Sequence, residues 1–263
     1  MNEMSDGTSI PQYSFGKVIA VWAAAAIPMG LLGWVVAPAL AADPAKPGFE
    51  RLAVLTVGLV WQFLLVMFLV YKEAGNLRWQ TLKERLWLNA PRSPKTGQTS
   101  RKLWWWIVPL LILTAVYDME LGGYVEKFVT SIFPFLAEPP GWALGTLLDS
   151  PEGKAMMVGA WDILALFAVN AVFNTVLGEE LLFRGLLLPR MNKTFGKWDW
   201  VANGVLFGLY HIHQPWSMVA LGALFLFAYP TKRFRSSWFG IIAHSGQSVF
   251  FLFLMLGLVL GLA

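Results

Sequence analysis

The sequence predicts an all-α, polytopic bundle of about seven transmembrane helices, and three observations carry that prediction. The chain is 57% hydrophobic and only 14% charged, where a soluble domain carries about 25% charged residues. A water-soluble fold has too little interior to hide so much apolar side chain. Several apolar runs reach the ~20 residues that a helix needs to cross ~30 Å of hydrocarbon. The basic residues gather between those runs, as they do in cytoplasmic loops. Cysteine is absent, which removes disulfides and thiolate metal sites. The net charge of +4 is explained by the loops, so no nucleic-acid partner is expected.

Taken in order, the first span is Phe15 to Ala42, whose one charge is Lys17. Its end, Ala39-Leu40-Ala41, resembles a signal-peptidase site. The apolar run exceeds the 7–15 residues of a signal peptide and has little basic flank, so it reads as a retained span. Leu52 to Tyr71 is an uncharged run of twenty, and Trp238 to Ala263 carries no fixed charge. Four weaker spans are expected at Trp104–Tyr117, Ala155–Leu177, Trp198–His213 and Trp216–Tyr229.

The loop after the second span holds Lys72, Arg78, Lys83, Arg85, Arg92, Lys95, Arg101 and Lys102 against Glu73 and Glu84. The positive-inside rule makes it cytoplasmic. Within it, Leu77 to Leu88 has apolar residues at helical spacing, the pattern of an interfacial amphipathic helix or of a solvated one. The next loop, Asp118 to Lys154, holds six acids and two bases and should lie outside. Arg184, Arg190, Lys193 and Lys197, then Lys232, Arg233 and Arg235, mark the inside again. The expectation is an integral protein of the plasma (inner) membrane with its N-terminus in the cytoplasm.

Ionisable residues at membrane depth are costly and therefore candidates for function. Asp162, Asn170, Asn174, Glu179, Glu180 and Arg184 lie on or just past the fourth expected span. His211 and His213 fall in the fifth, and His244 in the seventh near Gln247 and Ser248. On a helix Glu180 and Arg184 stand one turn apart and can pair. Glu179, rotated by about 100°, is left without that cation, and a reserved carboxylate is what a water-activating base requires. Phe207 and His211 share a face, with Gly208 permitting close helix approach. His213 is expected to point away from His211. A lone membrane histidine usually packs, but two on separate helices beside an acidic pair suit metal binding or water activation.

These residues resemble the CPBP family of intramembrane proteases, which includes type II CAAX prenyl endopeptidases and bacterial relatives once called abortive-infection proteins. Glu179, Glu180 and Arg184 match its first motif, Phe207 and His211 its second, and His244 half of its third, where Ser248 stands in place of asparagine or aspartate. The resemblance divides the chain into N-terminal spans with the amphipathic loop, 1–150, and a catalytic membrane core, 151–263. It implies glutamate-dependent hydrolysis of a membrane-anchored or lipid-modified peptide, approached from the cytoplasmic side. Glu179 would activate the water, His211 would orient it or share a metal, and His244 would stabilise the oxyanion. The amide of Gln247 is a substitute for the missing third-motif group. A divalent metal such as zinc, held by Glu179, His211 and His244, is left open. Counted from the cytoplasmic face, His244 should lie ~10 Å deep and Glu179 ~8 Å.

Two other readings stay in play. A non-catalytic relative that binds partner proteins, in immunity or as a scaffold, is favoured by Ser248. A proton-coupled transporter would use Asp162, Glu179 and the histidines as a relay.

Overall fold

The computed structural model describes residues 10–223 and 227–262. Among them there are no strands beyond an isolated bridge between Arg92 and Thr99. Five helices are long and apolar enough to span a bilayer. These are α1 (Phe15–Leu40), α2 (Gly48–Ala74), α3 (Arg101–Ile132) and α4 (Trp161–Arg190), followed after shorter pieces by Trp238–Val259. The shorter pieces are α5 (Asp199–Tyr210) and α6 (Ala228–Phe234), and the last span is α7.

The count falls short of seven for a physical reason. At 1.5 Å per residue, α5 is about 18 Å long and ends midway through the hydrocarbon. Residues 224–226, within the expected Trp216–Tyr229 span, lie outside the described residues. Two other spans are longer than expected. α3 continues through Asp118 and Glu120, by way of a π turn at Tyr117–Leu121, and so absorbs the start of the expected outer loop. α4 continues past Leu177 to Arg190. Arg184 and Arg190, expected in a cytoplasmic connector, are instead fully buried inside it.

Their pairing makes that burial tolerable, since a buried charge persists only with a partner. The Arg190 guanidinium donates to Glu73 of α2 at 2.6 Å, and to the carbonyls of Leu186 and Arg85 at 2.8 and 3.0 Å. The Tyr13 hydroxyl donates to the same Glu73 carboxylate. This knot ties the start of α1, the end of α2 and the end of α4 together at the basic end of the bundle. α2 stops there on Gly75, whose left-handed φ of 72° lets its N–H reach the Tyr71 carbonyl.

The expected amphipathic helix is present only as Trp79–Arg85. Beyond it Leu86 and Leu88 turn inward and are buried. Ser237 at the start of α7 donates its hydroxyl to the Leu86 carbonyl and its N–H to that of Trp87, at 2.7 and 2.8 Å. The segment is therefore pinned to the bundle rather than resting on the leaflet alone.

One apolar cluster joins Val18, Val21, Ala25 and Met29 of α1 with Leu55, Leu59 and Val66 of α2. It continues through Leu181–Phe183 of α4 and Leu206, Phe207 and Tyr210 at the end of α5. Phe250 and Phe253 of α7, Phe68 of α2 and Ile112 of α3 face outward, as lipid-facing residues do. α5 packs against the 218–222 turn so closely that a Cβ on Gly208 would meet the Met218 carbonyl at 2.6 Å and Gly222 Cα at 2.7 Å.

Candidate active site

The site is assembled at the one stretch where α4 departs from α geometry. π-helical segments at Phe173–Gly178 and Leu181–Leu187 flank Glu179 and Glu180, and such wide turns are frequent at functional sites. The two carboxylates serve different surroundings. Glu180 and Arg184 both have no exposed side-chain surface and pair at 3.4 Å. His244 of α7 brings its Nδ1 to the same Glu180 oxygen at 3.2 Å. Gly240 makes this possible, because a Cβ there would overlap the Glu180 carboxylate. Glu180 thus shares its Oε1 between its cation and its histidine, while its Oε2 is buried against Gly240 with no hydrogen-bond partner.

Glu179 faces the other way. His211 points Nε2 at it, 3.8 Å from Oε1, while His211 Nδ1 lies 2.7 Å from the Phe207 carbonyl. That carbonyl can only accept, so Nδ1 carries the hydrogen and Nε2 presents a lone pair to the Glu179 side. With its amide turned so that nitrogen faces the carboxylate, Asn174 donates to both Glu179 oxygens at 3.0 and 3.1 Å. The Tyr210 hydroxyl is also within hydrogen-bonding reach of Glu179, and accepts from Gln62 Nε2 of α2 at 2.6 Å. The second-motif phenylalanine joins the two halves. The Arg184 guanidinium lies 4.2 Å from the centre of the Phe207 ring, and the same ring meets His211 edge-on at 4.8 Å.

Glu179, His211 and His244 all line one cavity of about 300 Å³, with Asn170, Asn174 and Phe207. The spatial convergence of three helices therefore holds. Glu179 lies further from the end of its helix than the spacing to Arg184 suggests. Because Arg184 is an internal ion-pair partner and not a membrane-edge residue, Glu179 sits eleven residues, about 16 Å, from the end of α4. Leu59, on whose carbonyl Gly178 packs, lies about 16 Å from one end of α2 and 22 Å from the other. The site lies well inside the bundle, away from the ends of both helices.

Several assignments change. His213, expected to point away, lines the same cavity with its ring 5.5 Å from that of His211, because the helix ends at Tyr210 and both histidines sit in the following turn. Gln247 donates to Asp118 of α3, and neither it nor Ser248 lines the cavity. Asp162 stands exposed in the first turn of α4, remote from Glu179, which takes it out of any relay through the site. Among the described residues no group of three His, Asp or Glu side chains is arranged to hold a metal ion. Glu179 and His211 face each other, but the donors of Glu179, His211 and His244 are not gathered as a metal-holding group among the described residues, so the donor set as it stands does not fit a tetrahedral zinc centre.

The residues that the sequence reading missed are Gln62, Tyr210, Arg51, Glu138 and Trp142. Gln62 carried a signal, as the one amide in the uncharged run Leu52–Tyr71. Arg51, Glu138 and Trp142 reach the cavity from a helix start and a loop, and no local pattern announces that.

Residues 160–250, about a third of the chain, match the family model described as Type II CAAX prenyl endopeptidase Rce1-like. The match covers the segment that carries all three motifs and supports the resemblance to the CPBP proteases there. No curated protein and no solved structure matches the chain.

Proposed function

We propose that this protein is an intramembrane endopeptidase in which Glu179 activates a water molecule for attack on a peptide bond of a membrane-anchored or lipid-modified substrate. One observation carries the reading. Of two adjacent buried carboxylates, Glu180 pairs with Arg184 and His244, while Glu179 faces a cavity with hydrogen-bond donors and, among the described residues, has no Lys or Arg within ion-pair distance, only the His211 ring at 3.8 Å. A general base must be held but not neutralised. Asn174 and Tyr210 do the holding.

In this mechanism water lies between Glu179 and His211 Nε2. Glu179 takes its proton as the oxygen attacks the carbonyl carbon, and returns that proton to the amine nitrogen as the carbon–nitrogen bond breaks. His211, fixed by the Phe207 carbonyl, accepts the second water hydrogen and so aims the attacking lone pair. His244 lines the cavity from α7 and is the residue proposed to face the developing oxyanion; because its Nδ1 hydrogen goes to Glu180, its Nε2 donates there only as an imidazolium, and one such donor contributes ~3 kcal/mol. No step is routed through a metal, since the donor set does not converge on one.

The decisive experiment uses the full chain in nanodiscs with a panel of membrane-anchored reporter peptides. Cleavage in the wild type that falls by 10²–10⁴ in Glu179→Gln, the usual worth of a general base, supports the proposal. A biological effect that survives Glu179→Gln unchanged favours the second reading, a non-catalytic partner-binding protein. That reading draws support from the third-motif position, where Ser248 stands outside the cavity.

A further inference from the structure

The cavity that starts at Glu179 does not lead toward the basic loops. Its remaining walls are Gly48, Arg51, Leu52 and Leu55 at the opposite end of α2, Glu138, Trp142 and Leu144 after α3, and His213 and Gln214 after α5. By the charge rule that end faces away from the cytoplasm.

Arg51 is the unexplained residue of this wall. Only 9% of it is exposed, and Arg is almost never so buried without a partner. Its Nη2 donates to the His213 carbonyl at 2.6 Å, and its guanidinium lies 5.3 and 5.5 Å from the ring centres of Trp142 and Trp216. Its Nε has no hydrogen-bond partner. Glu138 is close enough to feel the charge, yet among the described residues no carboxylate lies within ion-pair distance of Arg51. A rigid, ring-flanked guanidinium with an unused donor is a ready fork for a carboxylate.

The spacing relates it to the chemistry. Gly178 packs on the Leu59 carbonyl, so Leu59 marks the level of Glu179 on α2. Arg51 is eight residues further along, about 12 Å, the reach of three to four extended residues.

We propose that Arg51 recognises a carboxylate of the substrate, about 12 Å from the bond held at Glu179. This rests on the endopeptidase reading, which names what enters the cavity. The carboxylate is either the chain end of the peptide or an acidic side chain. Glu138, on the loop beside Arg51, competes for the same cation.

The test measures binding and not turnover, so it can fail independently of the hydrolase. Fluorescein-labelled apolar octapeptides are titrated by anisotropy against full-length Glu179→Gln protein in nanodiscs. One peptide has a free C-terminal carboxylate, one a C-terminal amide, and one an amide with an internal aspartate. At least one carboxylate peptide should bind about tenfold more tightly than the plain amide, the worth of one charge-assisted contact. Which one does so identifies the source. Arg51→Gln should erase the difference, Arg51→Lys should keep part of it, and Glu138→Gln should enlarge it. Equal binding of acid and amide peptides by the protein with Arg51 intact overturns the proposal without any variant having to fold. A difference that persists in folded Arg51→Gln overturns it too.

Discussion

Glu180→Gln should unfold the protein more readily than any other single-atom change at the site, and the structure sets the size. Glu180 and Arg184 are both fully enclosed and 3.4 Å apart, so solvent screening offers no discount. Removing one partner leaves a buried charge uncompensated, which costs about 3–5 kcal/mol, more than a hundredfold in the folding equilibrium. His244 keeps a carbonyl acceptor for its Nδ1 in the same substitution but loses the carboxylate charge beside it. Arg184→Met should cost a similar amount. The double variant Glu180→Gln with Arg184→Met should cost far less than the sum, because no unpaired charge is left. A coupling energy of about 3 kcal/mol is expected from SDS-driven unfolding of the four proteins in mixed micelles. By contrast Glu179→Gln, whose carbonyl still accepts from Asn174 and Tyr210, should shift stability by less than about 1 kcal/mol. Additive single effects, or a Glu179→Gln variant as unstable as Glu180→Gln, would refute the assignment of one carboxylate to structure and its neighbour to chemistry.

Three further outcomes follow from the same geometry. Gly208→Leu should destabilise by about 1–3 kcal/mol through overpacking, seen as a lower melting temperature, since even a Cβ meets backbone at 2.6 Å. Burial holds the Glu138 carboxyl above the usual carboxylate range, against the opposing pull of Arg51. The folded state therefore binds that proton more tightly than the unfolded one, and the contribution present at low pH is lost as pH rises through the folded value. Glu138→Gln should accordingly raise the melting temperature at pH 7 and leave it unchanged near pH ~3.5, below the ~4.3 of a free glutamate. Reporter cleavage should persist after dialysis against 1,10-phenanthroline, because among the described residues no group of three side chains is gathered to hold a metal. Loss of cleavage that zinc restores would show His244 swinging to a metal.

What could be read from the sequence was whatever local spacing determines. Glu180 and Arg184 pair because residues four apart meet on a helix, and they still do so beside a π segment. Gly208 permits close packing because it lacks a side chain. Phe207 and His211 share a face for the same periodic reason. Errors arose wherever a charge was taken to mark the membrane edge. Arg184 and Arg190 resemble a cytoplasmic connector in one dimension, yet Glu180 and Glu73, remote or adjacent in the chain, hold them inside. With the end of α4 at Arg190 and not at Arg184, the stretch between Glu179 and that end grows from five residues to eleven. His213 was misplaced because a periodicity argument presumes that the helix continues, and α5 stops at Tyr210.

The far wall of the cavity shows the same limit and suggests why the site needs the whole bundle. Gln62 holds Tyr210, Tyr210 and Asn174 hold Glu179, and Arg51 holds the His213 carbonyl. Each link crosses between elements distant in sequence. The 160–250 segment supplies both carboxylates and all three histidines, but α2 supplies the residues that orient Tyr210 and the turn after α5. A fragment limited to the matched segment would retain every motif residue and lose the amide behind Tyr210 and the cation behind His213. Its glutamate would then be a solvated or collapsed carboxylate instead of a reserved base. The positioning of Glu179, and with it the proposed chemistry, therefore depends on α2 as much as on the motifs.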